Sequence, residues 1–299
     1  MRRVGLLFYT TEAASVVYRS AFARGMRQLG WEDGKNITYQ GAYPNGDVTR
    51  LESLTSDLVR DHVDVIVVST SPGVRAAQQV TKTVPIVFTP LSNVVGNGYV
   101  ASLARPGGNV TGIASQFEDV LPKLLEFLHA IAPSATRIAV LVNEANLSHG
   151  TFWKAAQDAC AVLNLVAYRV AANSRVQFGP AFEQMSRLRV DAVLVGNDFL
   201  FLGQRIALQE LLQAARLPAA YGFPEHVAVG GLLSYGSSLV AGYEQVATYV
   251  DRILRGAKPA DLPVEQPTKF ELVLNAKTAA SLGLSVPQAV LLRADQIIR

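Results

Sequence analysis

Apolar residues along this chain come in short runs that end in small or polar residues, and the runs occur twice in the same order. Arg3 to Tyr9 (RVGLLFY) has a counterpart in Arg137 to Asn143 (RIAVLVN). Val63 to Val68 (VDVIVV) is matched by Val190 to Val195 (VDAVLV), and Val84 to Thr89 (VPIVFT) by Leu217 to Gly222 (LPAAYG). Between the runs lie stretches with apolar residues at helical spacing. Residues 15–29 carry Val16, Ala23, Met26 and Leu29 and stop at Gly30; 49–59 carry Leu51, Leu54, Leu58 and Val59.

The pattern predicts strands at 3–9, 36–43, 63–69, 84–89 and 110–114, then at 137–142, 165–170, 191–196, 217–221 and 231–235. Helices are predicted at 15–29, 49–59 and 72–80, then at 150–163, 178–188 and 202–215. Nearly all-apolar strands fit parallel strands covered on both faces. Regular alternation argues for α/β architecture: two Rossmann-like lobes, each with a parallel sheet and right-handed crossovers. After them come a helix at 239–255, a proline-punctuated connector at 258–263, a strand at 270–275 and a short helix at 276–282. Chain crossings near 115–118, 235–238 and 264–268 make a three-segment hinge. The expected lobes are 1–115 with 238–264, and 116–237 with 265–299. Facing lobes of this kind enclose a cleft, where small ligands bind.

Length agrees: 299 residues suit two domains of about 150. Charge removes one class of partner. The 27 basic and 24 acidic residues give a net charge of only +3, and no basic run with interleaved aromatics stands out, so no nucleic-acid partner is expected. Cys160 is the only cysteine, which excludes an intrachain disulfide and a cysteine-based zinc site. No run approaches the roughly 18 apolar residues of a membrane span. The apolar run after Met1-Arg2-Arg3 is too short for a signal-peptide core and reads as the first strand.

In open α/β sheets ligands sit outside the carboxyl ends of the strands. The loops there contain Tyr9, Thr10, Thr70, Ser71 and Thr89 in the first half, and Asn143, Asn146, Asn197, Asp198, Tyr221 and Glu225 in the second. Ser69-Thr70-Ser71-Pro72-Gly73 places hydroxyls at a helix start, where free N–H groups and the dipole suit an anion such as a carboxylate. Simple N-capping accounts for the same residues. Amides and acids in the second half suit a ligand ammonium group, or only cap the following helix. Tyr9, Phe199, Tyr221, Phe223 and Tyr235 lie near strand ends, for stacking on an aromatic ligand or for packing.

Enzyme signals are degraded. Gly96 to Ala101 fits G-x-G-x-x-A, with Glu118 and Asp119 about 20 residues on, but it does not join the first strand to the first helix. Gly30 to Lys35 is one residue short of a P-loop and reads as a helix stop. His62, His129, His149 and His226 show no metal spacing. No catalytic set, cofactor or metal is expected.

Longer stretches carry a resemblance: Phe22 to Asn36 (FARGMRQLGWEDGKN), Ser102 to Gly112 (SLARPGGNVTG), Tyr221 to Gly236 (YGFPEHVAVGGLLSYG), Leu254 to Leu274 (LRGAKPADLPVEQPTKFELVL) and Leu291 to Asp295. Over nearly its whole length the chain resembles the ABC-transporter substrate-binding proteins of the tryptophan/tyrosine-binding type, with a type I periplasmic-binding-protein-like fold. The resemblance implies a monomeric, periplasmic or otherwise extracytoplasmic solute receptor that delivers a small molecule to a membrane permease. It maps a ligand onto Thr70, Ser71 and Thr89 in one lobe and Asn143, Asn197 and Tyr221 in the other. The cargo expected is an aromatic or branched amino acid, or an aromatic carboxylate, captured by hinge closure. Two other readings share the shape: a ligand sensor acting on a signalling partner, and a two-lobe nucleotide-sugar enzyme.

Overall fold

The computed structural model describes residues 1–299. In chain order the elements are β1 (Arg2–Leu7), α1 (Glu12–Gln28), β2 (Ile37–Ala42), α2 (Leu51–Arg60), β3 (Val65–Val68), α3 (Ser71–Val80), β4 (Ile86–Leu91), β5 (Val110–Ala114) and α4 (Phe117–Ile131). They continue as β6 (Arg137–Val142), α5 (Ser148–Val162), β7 (Val166–Ala171), α6 (Phe178–Arg187), β8 (Ala192–Val195), α7 (Phe199–Gly203), α8 (Arg205–Ala214), β9 (Ala219–Tyr221) and α9 (Pro224–Ala228). The last are β10 (Leu233–Gly236), α10 (Leu239–Leu254), β11 (Glu271–Asn275), α11 (Ala276–Ser281), α12 (Gln288–Leu291) and β12 (Gln296–Ile298).

Two compact units result: Met1–Ser115 with Leu239–Thr268, and Gln116–Ser238 with Lys269–Arg299. The first holds a parallel sheet ordered β2-β1-β3-β4-β5. Its central strand β3, VIVV, is buried at every position, as a strand covered on both faces must be. One cover is the pair α1 and α10. They approach so closely that a Cβ at Gly25 would lie 2.7 Å from the Glu244 carbonyl oxygen and 2.8 Å from Ala247 Cβ. Phe22, Met26, Tyr243, Val246 and Val250 fill the layer beneath them.

The Gly-Trp-Glu-Asp-Gly segment at 30–34 closes α1 as a turn. Gly30 and Gly34 adopt φ of +90° and +78°, which glycine tolerates without strain. Trp31 Nε1 donates to Asp251 Oδ1 at 2.8 Å, and Asp251 also accepts from Arg255 Nε at 2.7 Å. These bonds tie the turn to the end of α10.

The second unit has the order β12-β11-β10-β9-β8-β6-β7. All its pairs are parallel except β10 with β11. An all-parallel sheet is therefore not what forms: β11 arrives from the other unit and enters the sheet reversed. The first unit runs to Thr268, at the end of the crossing read at 264–268 and four residues past the lobe boundary read at 264. Glu265 bridges to Ile113, its carbonyl accepts from Ala114 N–H at 2.8 Å, and its own N–H donates to the Tyr249 hydroxyl. Those bonds hold Glu265 in the first unit.

Helix α4 is absent from the elements that the pattern predicts. Pro122 interrupts its donor ladder, yet Phe117, Leu121, Leu124, Leu125, Leu128 and Ile131 bury one face in the second core. Packing overrides the propensity. The predicted helix at 202–215 is two helices, α7 and α8, broken at Gln204. No helix is long and apolar enough to cross a membrane.

Candidate ligand-binding site

In the first unit the carboxyl ends of β1, β3 and β4 carry hydroxyls. The Thr10 and Ser15 hydroxyls lie 2.9 Å apart, and Ser15 Oγ donates to the Thr11 carbonyl. Half-buried Tyr9 accepts at its carbonyl from Gly46 N–H at 2.8 Å. Thr70 is the N-cap of α3: its Oγ1 accepts from Gly73 N–H at 3.1 Å. Ser71 is the first helical residue and Pro72 the second, so the capping reading holds for Thr70 and Pro72 withholds no N–H the helix needs. Tyr99 anchors this corner by donating its hydroxyl to the Ser71 carbonyl at 3.1 Å.

Thr89 lies deeper. Fully buried, it points Oγ1 toward the Ser69 carbonyl at 3.5 Å. The phenol of Tyr243 reaches the same spot from α10, beside the Ser69 and Thr89 hydroxyls. Burial raises the phenol's pKa well above its ordinary value, so it stays neutral. Thr89 thus belongs to a hydroxyl layer under the loop. Phe8 stacks on Tyr43 and Tyr243, with centroids 5.5 and 6.1 Å away, and walls this region with aromatic surface.

The second unit gathers a denser set. Asp198, only 7% exposed, is the one buried acid of the whole chain. Oδ1 accepts from Leu200 N–H at 2.7 Å, as the N-cap of α7, and from Asn143 Nδ2 at 3.2 Å; Oδ2 accepts from Asn146 Nδ2 at 2.8 Å. Amides therefore orient the carboxylate, and no lysine or arginine pairs with it. Asn143 also accepts from Ala145 N–H, and Asn146 from Ser148 N–H, so both side chains are fixed at each end.

His149, which no local motif picks out, completes the set. Its Nδ1 accepts from Asn143 N–H at 2.7 Å, and its Nε2 lies 3.3 Å from the Asn197 carbonyl and 3.9 Å from Asp198 Oδ2. Burial lowers its pKa, against the partial opposition of Asp198, so the ring is neutral. Because Nδ1 accepts, the proton sits on Nε2 and points at Asn197.

Two glycines make room for these side chains. A Cβ at Gly196 would lie 2.7 Å from His149 Cε1, and one at Gly222 would lie 2.2 Å from Asn197 Oδ1. Thus the ends of β6, β8 and β9 converge on Asn143, Asn197 and Asp198. Phe199 and Phe223 lie beside them with ring centroids 6.3 Å apart.

Tyr221 is placed differently. At 1% exposure its ring stacks on His226 at 4.5 Å and its hydroxyl donates to Gln209 Oε1 at 3.0 Å. It lines a cavity of about 240 Å³ on the flank of α8 and α11, with Leu212, Lys277 and Thr278. Glu225 is half-buried in the first turn of α9. Tyr235 packs edge-on against Phe127 at 5.4 Å, inside the second core. The 96–101 glycine pattern forms turns and bends and does not join a strand to a helix, as a dinucleotide fingerprint must. No group of three or more His, Cys, Asp or Glu is placed to hold a metal ion.

Relatives agree with this architecture. A crystal structure of an ABC domain in complex with L-Trp from Streptococcus pneumonia matches with a TM-score of 0.92 at 23% identity, covering 99% of each chain. A conserved domain protein from Vibrio cholerae matches equally well in TM-score, 0.92, at 25% identity and 99% coverage of both chains. A tyrosine-binding protein of Clostridioides difficile is 24% identical over 267 residues, 89% of this chain and 76% of the relative. The fold is the type I periplasmic-binding-protein-like α/β fold. The model of a non-enzymatic family, described as ABC transporter substrate binding protein, matches residues 4–298. With the match spanning both units, the chain belongs to that family of ABC transporter substrate-binding proteins.

Proposed function

We propose that this solute-binding protein captures an aromatic amino acid outside the cytoplasm and delivers it to the membrane permease of an ABC transporter. The observation that carries the reading is Asp198: a single buried acid, oriented by two asparagines and a helix N-terminus and paired with no lysine or arginine. A charge so buried calls for a cation, and a ligand ammonium group supplies one. Asn143, Asn146 and Asn197 surround it, and Phe199 and Phe223 offer aromatic surface. In the first unit, the start of α3 at Thr70 and Ser71 suits the α-carboxylate, with Tyr9 and Thr10 alongside. Thr89 supports the first-unit loops from beneath, whereas Tyr221 faces His226 and Gln209 and Glu225 begins α9. Hinge motion at the three chain crossings accompanies uptake.

The names of the relatives point the same way, since one binds tyrosine and another was crystallised with L-Trp. Calorimetric titration with L-tyrosine, L-tryptophan, L-phenylalanine, L-leucine and indole-3-acetate tests the reading. Saturable binding of an aromatic amino acid is expected, with the acid that lacks an amine bound far more weakly. Asp198→Asn should weaken the amino acid by about 2 kcal/mol or more, roughly 30-fold, while the fold persists. Equal binding of indole-3-acetate, or an unaffected Asp198→Asn, would sink it.

A further inference from the structure

His149 has no place in the solute contacts proposed above, yet it touches each loop that builds the Asp198 site. It is 2% exposed. One ring nitrogen receives the Asn143 amide and the other reaches the Asn197 carbonyl, so the imidazole bridges the ends of β6 and β8. Its backbone N–H donates to the Asn146 carbonyl at 2.9 Å, which adds the third loop residue. Gly196 is what allows this contact, because any side chain there would meet the ring.

We propose that His149 is a positioning residue for the solute site, and that protons compete with solute because only the neutral ring can hold the two loops together. The inference rests on the functional reading above for its ligand and on the loop geometry for its mechanism. Nδ1 has one lone pair. When that atom carries a proton it can no longer accept from Asn143 N–H, and two N–H groups then face each other. The Asn143 backbone turns away, and with it goes one of the amides that orient Asp198.

The surroundings set the direction of the effect. Asp198, at the start of α7, favours the charged ring from 3.9 Å. Burial is the larger influence and opposes charge. Arg169 on β7 opposes it as well, although its own charge is partly met by Glu144 at 3.1 Å. The ring sits in the first turn of α5, whose positive dipole end disfavours a cation. Phe152 and Phe201 supply the other walls, with centroids 5.4 and 6.2 Å away and no charge. When water reaches the ring, the burial that disfavours its charge is relieved and it takes up a proton more readily. Closure expels that proton. Solute affinity therefore falls as pH is lowered into acid and is regained as pH rises.

Two readouts separate the outcomes. Long-range nitrogen–proton NMR spectra of the ring near neutral pH should show the Nε2–H tautomer with an unprotonated Nδ1. As the pH is lowered, the amide signals of Asn143 and Asn197 should move together with the ring. Calorimetry with L-tyrosine and L-tryptophan should show affinity roughly tenfold lower at about pH 5 than at about pH 7.5. His149→Asn keeps an acceptor near the δ position and cannot gain a proton, so it should bind with little pH dependence. His149→Ala should bind weakly at both values. An Nδ1–H tautomer, an Asn143 amide indifferent to the ring, or a wild-type pH profile in His149→Asn each overturns the proposal. If neither amino acid binds near neutral pH, the functional reading fails, and the ring and amide signals still decide whether His149 holds the two loops.

Discussion

His226 shows what a fully buried histidine does to stability. It stacks on Tyr221 within the second unit, and burial, reinforced by Arg205, pushes its pKa down to about 3. A depressed folded-state value means that below about 6.5 the unfolded chain takes up a proton that the folded chain refuses. Stability is therefore complete above that pH and falls as pH drops from about 6.5 toward about 3. The loss should approach 1.4 kcal/mol per pH unit from this residue, about 1.4 being the linkage limit for one proton. Urea unfolding at a series of pH values should show this slope, and His226→Phe, which preserves the stack, should flatten it. The same pair shows where sequence reasoning stops. Tyr221 ends a strand, as its position suggests, but which face a side chain takes depends on Gln209 and His226, and nothing near Tyr221 in the chain announces Gln209. That Asp198 and Asn143 lie at strand ends was legible, because each follows an apolar run. His149 was not, since its meaning comes from a backbone N–H six residues earlier and a carbonyl 48 residues later.

Helix pairs depend on how closely backbones approach. Gly25 of α1 lies against the Glu244 carbonyl and Ala247 of α10, with no space for a methyl group. Gly25→Ala normally favours a helix through propensity, but here the added Cβ would force α1 and α10 apart. A net destabilisation of about 1–3 kcal/mol is expected from overpacking, read as a lower urea midpoint with an unchanged slope. Regular strands and amphipathic helices were readable because burial imposes period two or full apolarity on a strand and period 3.6 on a helix. Helix α4 escaped because Pro122 contradicts a helix locally while its apolar face satisfies the second core. The reversed strand β11 escaped because direction within a sheet is set by where the chain comes from, which no side-chain pattern records.

The repeated α/β order was the most legible property of the chain, since each lobe writes its own full set of strands. How the lobes share segments was harder to read, because Glu265 joins the first sheet through backbone bonds that any residue can make. Neither unit is a single stretch of chain. Helix α10 buries Tyr243, Val246, Tyr249 and Val250 in the first unit, so residues 1–115 alone would leave Phe22, Met26 and Phe8 without their cover. A fragment of 1–115 should lack a cooperative thermal transition, and adding 239–268 through a short flexible linker should restore one; a cooperative melt of the short fragment would contradict this. The same connectivity orders events during synthesis. The ribosome must make some 140 residues after Ser115 before α10 is complete, on the order of 10 to 30 seconds of translation. Throughout that interval the front of the polypeptide stays open and unfinished, a condition suited to handling by chaperones or to threading across a membrane before the fold locks.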